Sequence, residues 1–179
     1  MKFVDIFTTL SLIAAATTAA GSPLANFKRD DGLLYPSSTW RRWVATGELK
    51  QDPQNQPLVV KTGDWRDATT AIVKFTFDGS AQDRTCKLLF DLGDADTSTG
   101  TETVDVFSNI NPPGWRGQQL GRIHVPAPGE ADWIMSFHGM PEFPCPAAGQ
   151  EMGLEFVGVG DVVTMQWDIG VTGPRVQVL

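Results

Sequence analysis

The chain has 179 residues, which suits a single domain, and 41% of them are hydrophobic, enough for a real core and outside the disordered range. Its formal net charge of −7 excludes a protein that binds a nucleic-acid backbone, because that binding requires clustered lysine and arginine. A basic amphipathic helix, which would favour an anionic lipid surface, is also missing from the sequence.

The first 20 residues have the layout of a secretory signal peptide. Met1-Lys2 is a short positive start, residues 6–16 are largely apolar, and residues 17–21 are small. Thr18 and Ala20 stand where a signal peptidase reads the chain, so cleavage after Ala20 is expected. The apolar stretch is too short for a stable membrane anchor. The alternative is a frayed N-terminal helix of a cytosolic protein.

A dibasic pair, Lys28-Arg29, follows closely. Such a pair after a signal peptide is typical of a processing site for a kexin-type protease. It would make residues 21–29 a propeptide and residues 30–179 the mature domain. An ordinary pair of surface charges is the other interpretation, and the sequence leaves both open.

The rest of the chain has the pattern of short strands separated by turns. Glu102-Thr103-Val104-Asp105-Val106-Phe107 alternates cleanly, with Val104 and Val106 on one face. Strands are predicted at residues 71–77, 86–92, 102–107, 122–125, 133–137, 152–157, 162–168 and 175–179. Short β-rich runs broken by glycine and proline predict an all-β fold, an antiparallel β-sandwich. Val162 and its apolar neighbours, like Leu88 and Phe90, are expected to face the core.

Two segments near the N-terminal end of the domain give weaker signals. Trp40, Trp43 and Val44 have helical spacing, which fits either a short helix or an irregular strand. Residues 46–70 are polar and rich in turn residues, and they predict a long surface loop with little strand content.

The two cysteines, Cys86 and Cys145, have only each other as partners. In an exported chain this predicts one disulfide bond, closing a segment of about 59 residues.

Five segments around and between the cysteines form a recognisable series. They are Leu34-Tyr35-Pro36, Phe75-Thr76-Phe77, Thr85-Cys86-Lys87-Leu88-Leu89-Phe90, Gly100 with Val104-Asp105-Val106-Phe107, and Phe143-Pro144-Cys145-Pro146-Ala147. These segments resemble the But2 C-terminal domain family, found mostly in secreted proteins of filamentous fungi. Their order and spacing both fit, over roughly residues 33–179. The chain departs from the family pattern at an extra Ala148 and at Trp40-Arg41-Arg42-Trp43. The resemblance implies no catalytic residues, and the intracellular partner in the family's name does not suit a secreted chain.

Residues that could carry chemistry are few. The two histidines, His124 and His138, fit strand ends and turns, and no Gly-x-Ser-x-Gly elbow accompanies them. Asp91, Asp94 and Asp96 form the densest carboxylate cluster, which suits either calcium or, more commonly, turn chemistry. No catalytic residue, cofactor or metal is therefore expected.

Tryptophan is more informative, with six residues against a single tyrosine. Trp133 and Trp167 lie in predicted strands and are expected in the core. Trp65 and Trp115 lie in polar turns beside arginine, where an exposed ring could stack on a sugar or a protein partner. The commoner role of such a residue is to pin its loop to the core.

These observations predict a secreted, monomeric, non-catalytic binding domain of the cell wall or extracellular space. Its ligand would be a cell-wall polysaccharide or an extracellular protein, with no nucleic acid and no membrane anchor. The alternative is a small secreted hydrolase acting on cell-wall polysaccharide or esters. A cleft lined by paired carboxylates, or by a histidine with a nucleophile, would favour the hydrolase.

Protein recovered from culture fluid should lack residues 1–20 and start at Gly21, or at Asp30 if the dibasic site is cleaved. N-terminal sequencing distinguishes these outcomes. An intact Met1 on exported protein would contradict signal cleavage.

Overall fold

The computed structural model describes residues 32–179, which form two antiparallel β-sheets and one short 3-10 helix at Gly79–Ala81. The sheets curl around a shared core in a sandwich-like arrangement, so the predicted all-β sandwich with one disulfide is confirmed. The predicted signal peptide and the processing residues Ala20, Lys28 and Arg29 lie outside the described residues.

The smaller sheet contains β1 (Leu33–Leu34), β6 (Thr85–Leu92), β10 (Gly129–Glu130), β12 (Glu142–Pro144) and β15 (Gly173–Val178). The larger sheet contains β2 (Ser38–Trp43), β3 (Leu49–Gln51), β4 (Val59–Lys61), β5 (Thr69–Thr76), β7 (Thr97–Gly100), β8 (Thr103–Ile110), β9 (Trp115–His124), β11 (Asp132–Ser136), β13 (Glu151–Gly158) and β14 (Val163–Gln166).

Strand order places β5 and β13 in the middle of the larger sheet. That sheet runs β11-β9-β8-β13-β5-β4-β14-β7, with β2 also paired to β5 and β3 paired to β2. The smaller sheet runs β1-β15-β6, with β10 and β12 both paired to β6. Among residues 32–179 there is no helix long and apolar enough to cross a bilayer.

The core forms between the inner faces of the two sheets. Along β6, Cys86, Leu88, Phe90 and Leu92 are buried and alternate with more exposed residues, as the period of two requires. Val104 and Val106 on β8 are fully buried in the same core. The predicted inward faces of these strands are therefore confirmed.

Three aromatic rings join the two layers. Phe90 of the smaller sheet lies 5.2 Å from the ring of Phe156 in β13 and 5.2 Å from that of Trp167, each edge to face. This geometry is the favoured one for aromatic pairs and adds to their hydrophobic burial. Trp167 is buried as predicted, whereas Trp133 is partly buried and packs against the edge of the core.

The prediction of a long loop at residues 46–70 is wrong. This segment contains β3, β4 and the start of β5, and its Leu58 and Val59 are fully buried. The two short strands depend on long-range partners, because β4 pairs with β14 and β3 pairs with β2. The polar composition of the segment does not predict these strands, because a three-residue strand can form with only one or two apolar residues.

Two other expectations are settled by register. Val162 is 47% exposed and Val163 is fully buried, so the predicted inward position is wrong by one residue. A shift of one residue in a strand moves a side chain to the opposite face. The open choice for Trp40 and Trp43 resolves to a strand, because β2 pairs with β5 over six residues.

The disulfide Cys86–Cys145 joins two segments at one end of the smaller sheet. The Cα atoms of the two cysteines lie 5.0 Å apart. Cys86 lies in β6, opposite both Phe143 of β12 and Val178 of β15. The bond therefore holds the segment after β12 against β6, the strand that β12 and the C-terminal strand both pair with.

Replacing both cysteines, as Cys86→Ala/Cys145→Ala, should lower the free energy of unfolding by about 4 kcal/mol, because the bond closes a loop of 59 residues in the unfolded chain. Urea unfolding of the double variant and of the native protein measures the difference. Native protein unfolded with a reductant is the control and should match the variant. An unchanged unfolding midpoint would contradict the stabilising role.

Candidate functional site

The central strand β5 is buried on both of its faces. Ala71, Val73 and Phe75 point into the core between the sheets. Thr70 and Ile72 alternate with them and so face away from the smaller sheet, yet they are 1% and 0% exposed. We call this side of the larger sheet the outer face. Burial of two residues there shows that other parts of the chain cover it.

Part of this cover is the hairpin turn between β8 and β9, at residues 111–114. The turn closes with a hydrogen bond from the Gly114 N–H to the Asn111 carbonyl, at 2.8 Å. It packs against β13 at Gly153, where an added Cβ would lie 2.9 Å from ring carbons of Pro112. Arg42 of β2 donates a hydrogen bond to the Gly114 carbonyl at 3.3 Å. The turn thus crosses above β13 and β5 and sets Trp115 at the start of β9.

A fully buried carboxylate lies beneath this cover. Glu155 of β13 is 0% exposed and points to the outer face, since Leu154 and Phe156 on either side of it belong to the core. Its Oε1 accepts hydrogen bonds from Thr70 Oγ1 at 2.8 Å and from Arg116 Nη2 at 2.6 Å. Burying a charge is costly unless it is paired and hydrogen-bonded, and Arg116 supplies the pairing.

Two clefts adjoin on the outer face. The first, of about 300 Å³, is lined by Arg42, Val44, Thr70, Trp115, Arg116 and Glu155. The second, of about 250 Å³, includes Val44, Lys61, Asp64, Trp65, Thr70 and Val157 in its lining. Because Val44 and Thr70 line both, the clefts are continuous, and we call them together the aromatic groove. It brings together the two tryptophans that the sequence singled out.

Both tryptophan side chains of the groove are open to solvent. Trp65 is 61% exposed and Trp115 is 75% exposed. Neither side chain therefore anchors its loop by packing against the core. Exposed rings of this size are the exception on a folded protein, and their position beside a groove marks a surface that could bind a partner.

The loop that carries Trp65 is held by a local turn. Asp64 Oδ1 accepts a hydrogen bond from the Arg66 N–H at 2.9 Å, and the Asp67 N–H donates to the Asp64 carbonyl at 3.2 Å. Aspartate favours such turns because its side chain can bond to the backbone two residues on. The loop is tied to the end of β2 by a bond from the Val44 N–H to the Ala68 carbonyl, at 2.9 Å. These hydrogen bonds therefore fix the backbone of the turn that carries Trp65.

Two other arginines of the larger sheet, Arg122 and Arg41, differ in their partners. Arg122 and Asp105 form two hydrogen bonds, at 2.7 and 3.0 Å. The hydrogen bond to Asp105 raises the pKa of Arg122, against the opposing effect of burial. On the inner side of β2, burial lowers the pKa of Arg41, whose guanidinium carbon lies 4.6 Å from the ring centre of Trp43.

The remaining candidate residues lie outside the groove. His124 Nε2 is 3.3 Å from Glu102 Oε2, and His138 occupies a turn with φ of 53°. Asp91 pairs with Arg175, and Asp96 accepts backbone hydrogen bonds from Gly93 and Asp168. Within residues 32–179, no cluster of three or more His, Cys, Asp or Glu could hold a metal ion.

Sequence reasoning missed the polar residues of the groove, namely Arg42, Lys61, Thr70 and Glu155. Two signals were available. Glu155 is the one acidic residue in the apolar run 152–157, and an acidic residue inside a central strand needs a partner. Arg42 lies in the segment where the chain departs from the family pattern.

No family model matches the chain. A search of curated proteins also found no match. The resemblance to the But2 C-terminal domain family therefore stays a prediction.

Gly153→Ala should destabilise the protein by roughly 1–3 kcal/mol, because the new methyl group would lie 2.5 Å from the Asn109 carbonyl oxygen and against Pro112. Thermal or urea unfolding measures the loss. Gly79→Ala is the matched control, since an added Cβ there meets nothing within 4 Å. Equal stability of the two variants would contradict the close packing of the β8–β9 turn on β13.

Proposed function

We propose that this protein is a secreted, non-catalytic domain that binds a cell-wall polysaccharide along the aromatic groove. The observation that carries the proposal is the placement of two exposed tryptophans, Trp65 and Trp115, on one continuous groove. Aromatic rings stack on the apolar faces of sugar rings, and polar groups between them can bond to hydroxyls. Arg42, Arg116 and Asp64 line the groove and supply such groups.

The shape of the groove favours a polymer over a small molecule. The two clefts are open to solvent and adjoin along the sheet, so an extended chain can cross both. Stacking on one ring gives modest affinity, and two rings on one strand of polymer combine through a high effective concentration. Retention should therefore depend on both tryptophans and on the polymeric form of the ligand.

The chemistry of the groove supports binding more than hydrolysis. Each of the two clefts has one carboxylate in its lining, Glu155 in one and Asp64 in the other. Glu155 is already engaged by Arg116 and Thr70, and the Thr70 hydroxyl is buried and donates its hydrogen bond to that carboxylate. Asp64 bonds to its own turn and lies 3.5 Å from Arg66. Neither arrangement resembles the facing acid and base of a glycosidase.

The location belongs to the same proposal. A single disulfide in a domain of this size is typical of an oxidising compartment, which supports the export expected from the predicted signal peptide at residues 1–20. Membership of the But2 C-terminal domain family and a monomeric state are further parts of the proposal.

Trp65→Ala and Trp115→Ala should each weaken retention on insoluble polysaccharide severalfold while leaving the fold intact, because both side chains are mostly exposed. Pull-down of purified protein against chitin, β-glucan, mannan and a cross-linked polyuronate measures the retained fraction. Phe137→Ala, which removes an exposed aromatic ring outside the groove, is the control and should bind normally.

Native retention by both tryptophan variants would reject the groove as the binding site. Failure of the native protein to bind any polymer of the panel would reject polysaccharide binding. Release of soluble sugars or esters from wall material would reject the non-catalytic part of the proposal.

A further inference from the structure

We infer that the polysaccharide that fits the aromatic groove is acidic, with a carboxylate on its sugar rings, and that Arg42 recognises this charge. The inference rests on the proposed function and adds the chemical class of the ligand. It follows from the charges that line the groove.

The groove contains more positive than negative charge. Its basic residues are Arg42, Lys61 and Arg116, and its acidic residues are Asp64 and Glu155. Arg116 is bonded to Glu155, and Asp64 is paired with Arg66 beside the groove. Arg42 and Lys61 therefore have no acidic partner among the described residues, in a protein whose formal net charge is −7.

Arg42 is the recognition residue. Its side chain is half-buried, and within residues 32–179 no carboxylate lies within 4.0 Å of it. One nitrogen, Nη1, donates to the Gly114 carbonyl and so fixes the guanidinium against the β8–β9 turn. The residue lines the cleft, and its other nitrogens are not among the buried polar atoms that lack a partner. A fixed, planar fork of donors suits a carboxylate.

Arg42 lies in the same cleft as Trp115, and the adjoining cleft holds Trp65. A polymer of acidic sugars presents matching features along its length, ring faces for stacking and a carboxylate beside them. Lys61 also lines the second cleft, but it pairs with the buried Val163 of β14 and so lies on the inner side of the sheet.

An acidic peptide also carries carboxylates, but it has fewer rigid apolar faces for two exposed tryptophans. The two carboxylates in the groove do not repel an anionic ligand strongly, since each has a basic partner. The net negative charge of the protein acts at longer range and is screened beyond about 8 Å at physiological salt. Local cations therefore decide binding under those conditions.

The test compares retention of native protein on cross-linked polyuronate, on the same polymer after its carboxyl groups are reduced, and on poly-glutamate beads, all at about 0.15 M salt. We expect strong retention on the polyuronate only. Arg42→Gln should weaken it about tenfold, the effect of one lost charge-assisted hydrogen bond. Arg42→Lys, which keeps the charge without the fork, should recover part of the loss.

Lys87→Gln is the matched control, because it removes one positive charge from the smaller sheet, away from the groove. It should bind polyuronate like the native protein. Equal retention on the polyuronate and its reduced form would overturn the inference and leave polysaccharide binding standing. Binding to poly-glutamate alone would overturn both, and so would binding to no polymer. A loss with Lys87→Gln equal to that with Arg42→Gln would show that net charge, and not the groove, governs retention.

Discussion

Burial of β5 on both faces is the constraint on which the rest of the structure depends. One face packs Val73 and Phe75 into the core between the sheets, as any sandwich strand does. The other face has Ile72 fully buried on the side that usually meets solvent. An apolar side chain there must be covered, and the turn at residues 111–114, held by Arg42 and seated on Gly153, reaches over the neighbouring strand β13. The same turn builds one wall of the groove and positions Trp115.

The buried Glu155 ties this cover to the sheet. Its carboxylate joins Thr70 of β5 to Arg116 of β9, across two strands of the larger sheet. An apolar residue of similar size would avoid the desolvation cost of a buried ion pair, which is seldom repaid in stability. The pair has a second consequence, since it neutralises the one carboxylate on the floor of its cleft. Arg42 beside it is then the charge of that cleft without an acidic partner, the one that we propose a ligand meets.

A sandwich with one polar and one apolar face on each sheet would leave its outer face bare. Here the outer face of the larger sheet is partly covered, and the uncovered part is the groove between the cover and the loop that carries Trp65. Both walls are braced by backbone hydrogen bonds, at Gly114 and at Val44. A groove with rigid walls loses little conformational entropy on binding, which favours recognition of an extended chain.

The sequence by itself determined the features that depend on neighbouring residues or on simple pairing. The period of two in β6 and β8 predicted their inward faces, two cysteines allowed one disulfide, and polar turns around Trp65 and Trp115 marked them as candidates for exposure. Tertiary structure decided what depends on long-range register. It formed β3 and β4 from residues expected to be a loop, buried Val163 where Val162 was expected, and brought Arg42, Trp65, Trp115 and Glu155 to one surface. Arg42 and Glu155 are 113 positions apart in the chain, and only the pairing of β2, β5, β13, β8 and β9 makes the four neighbours.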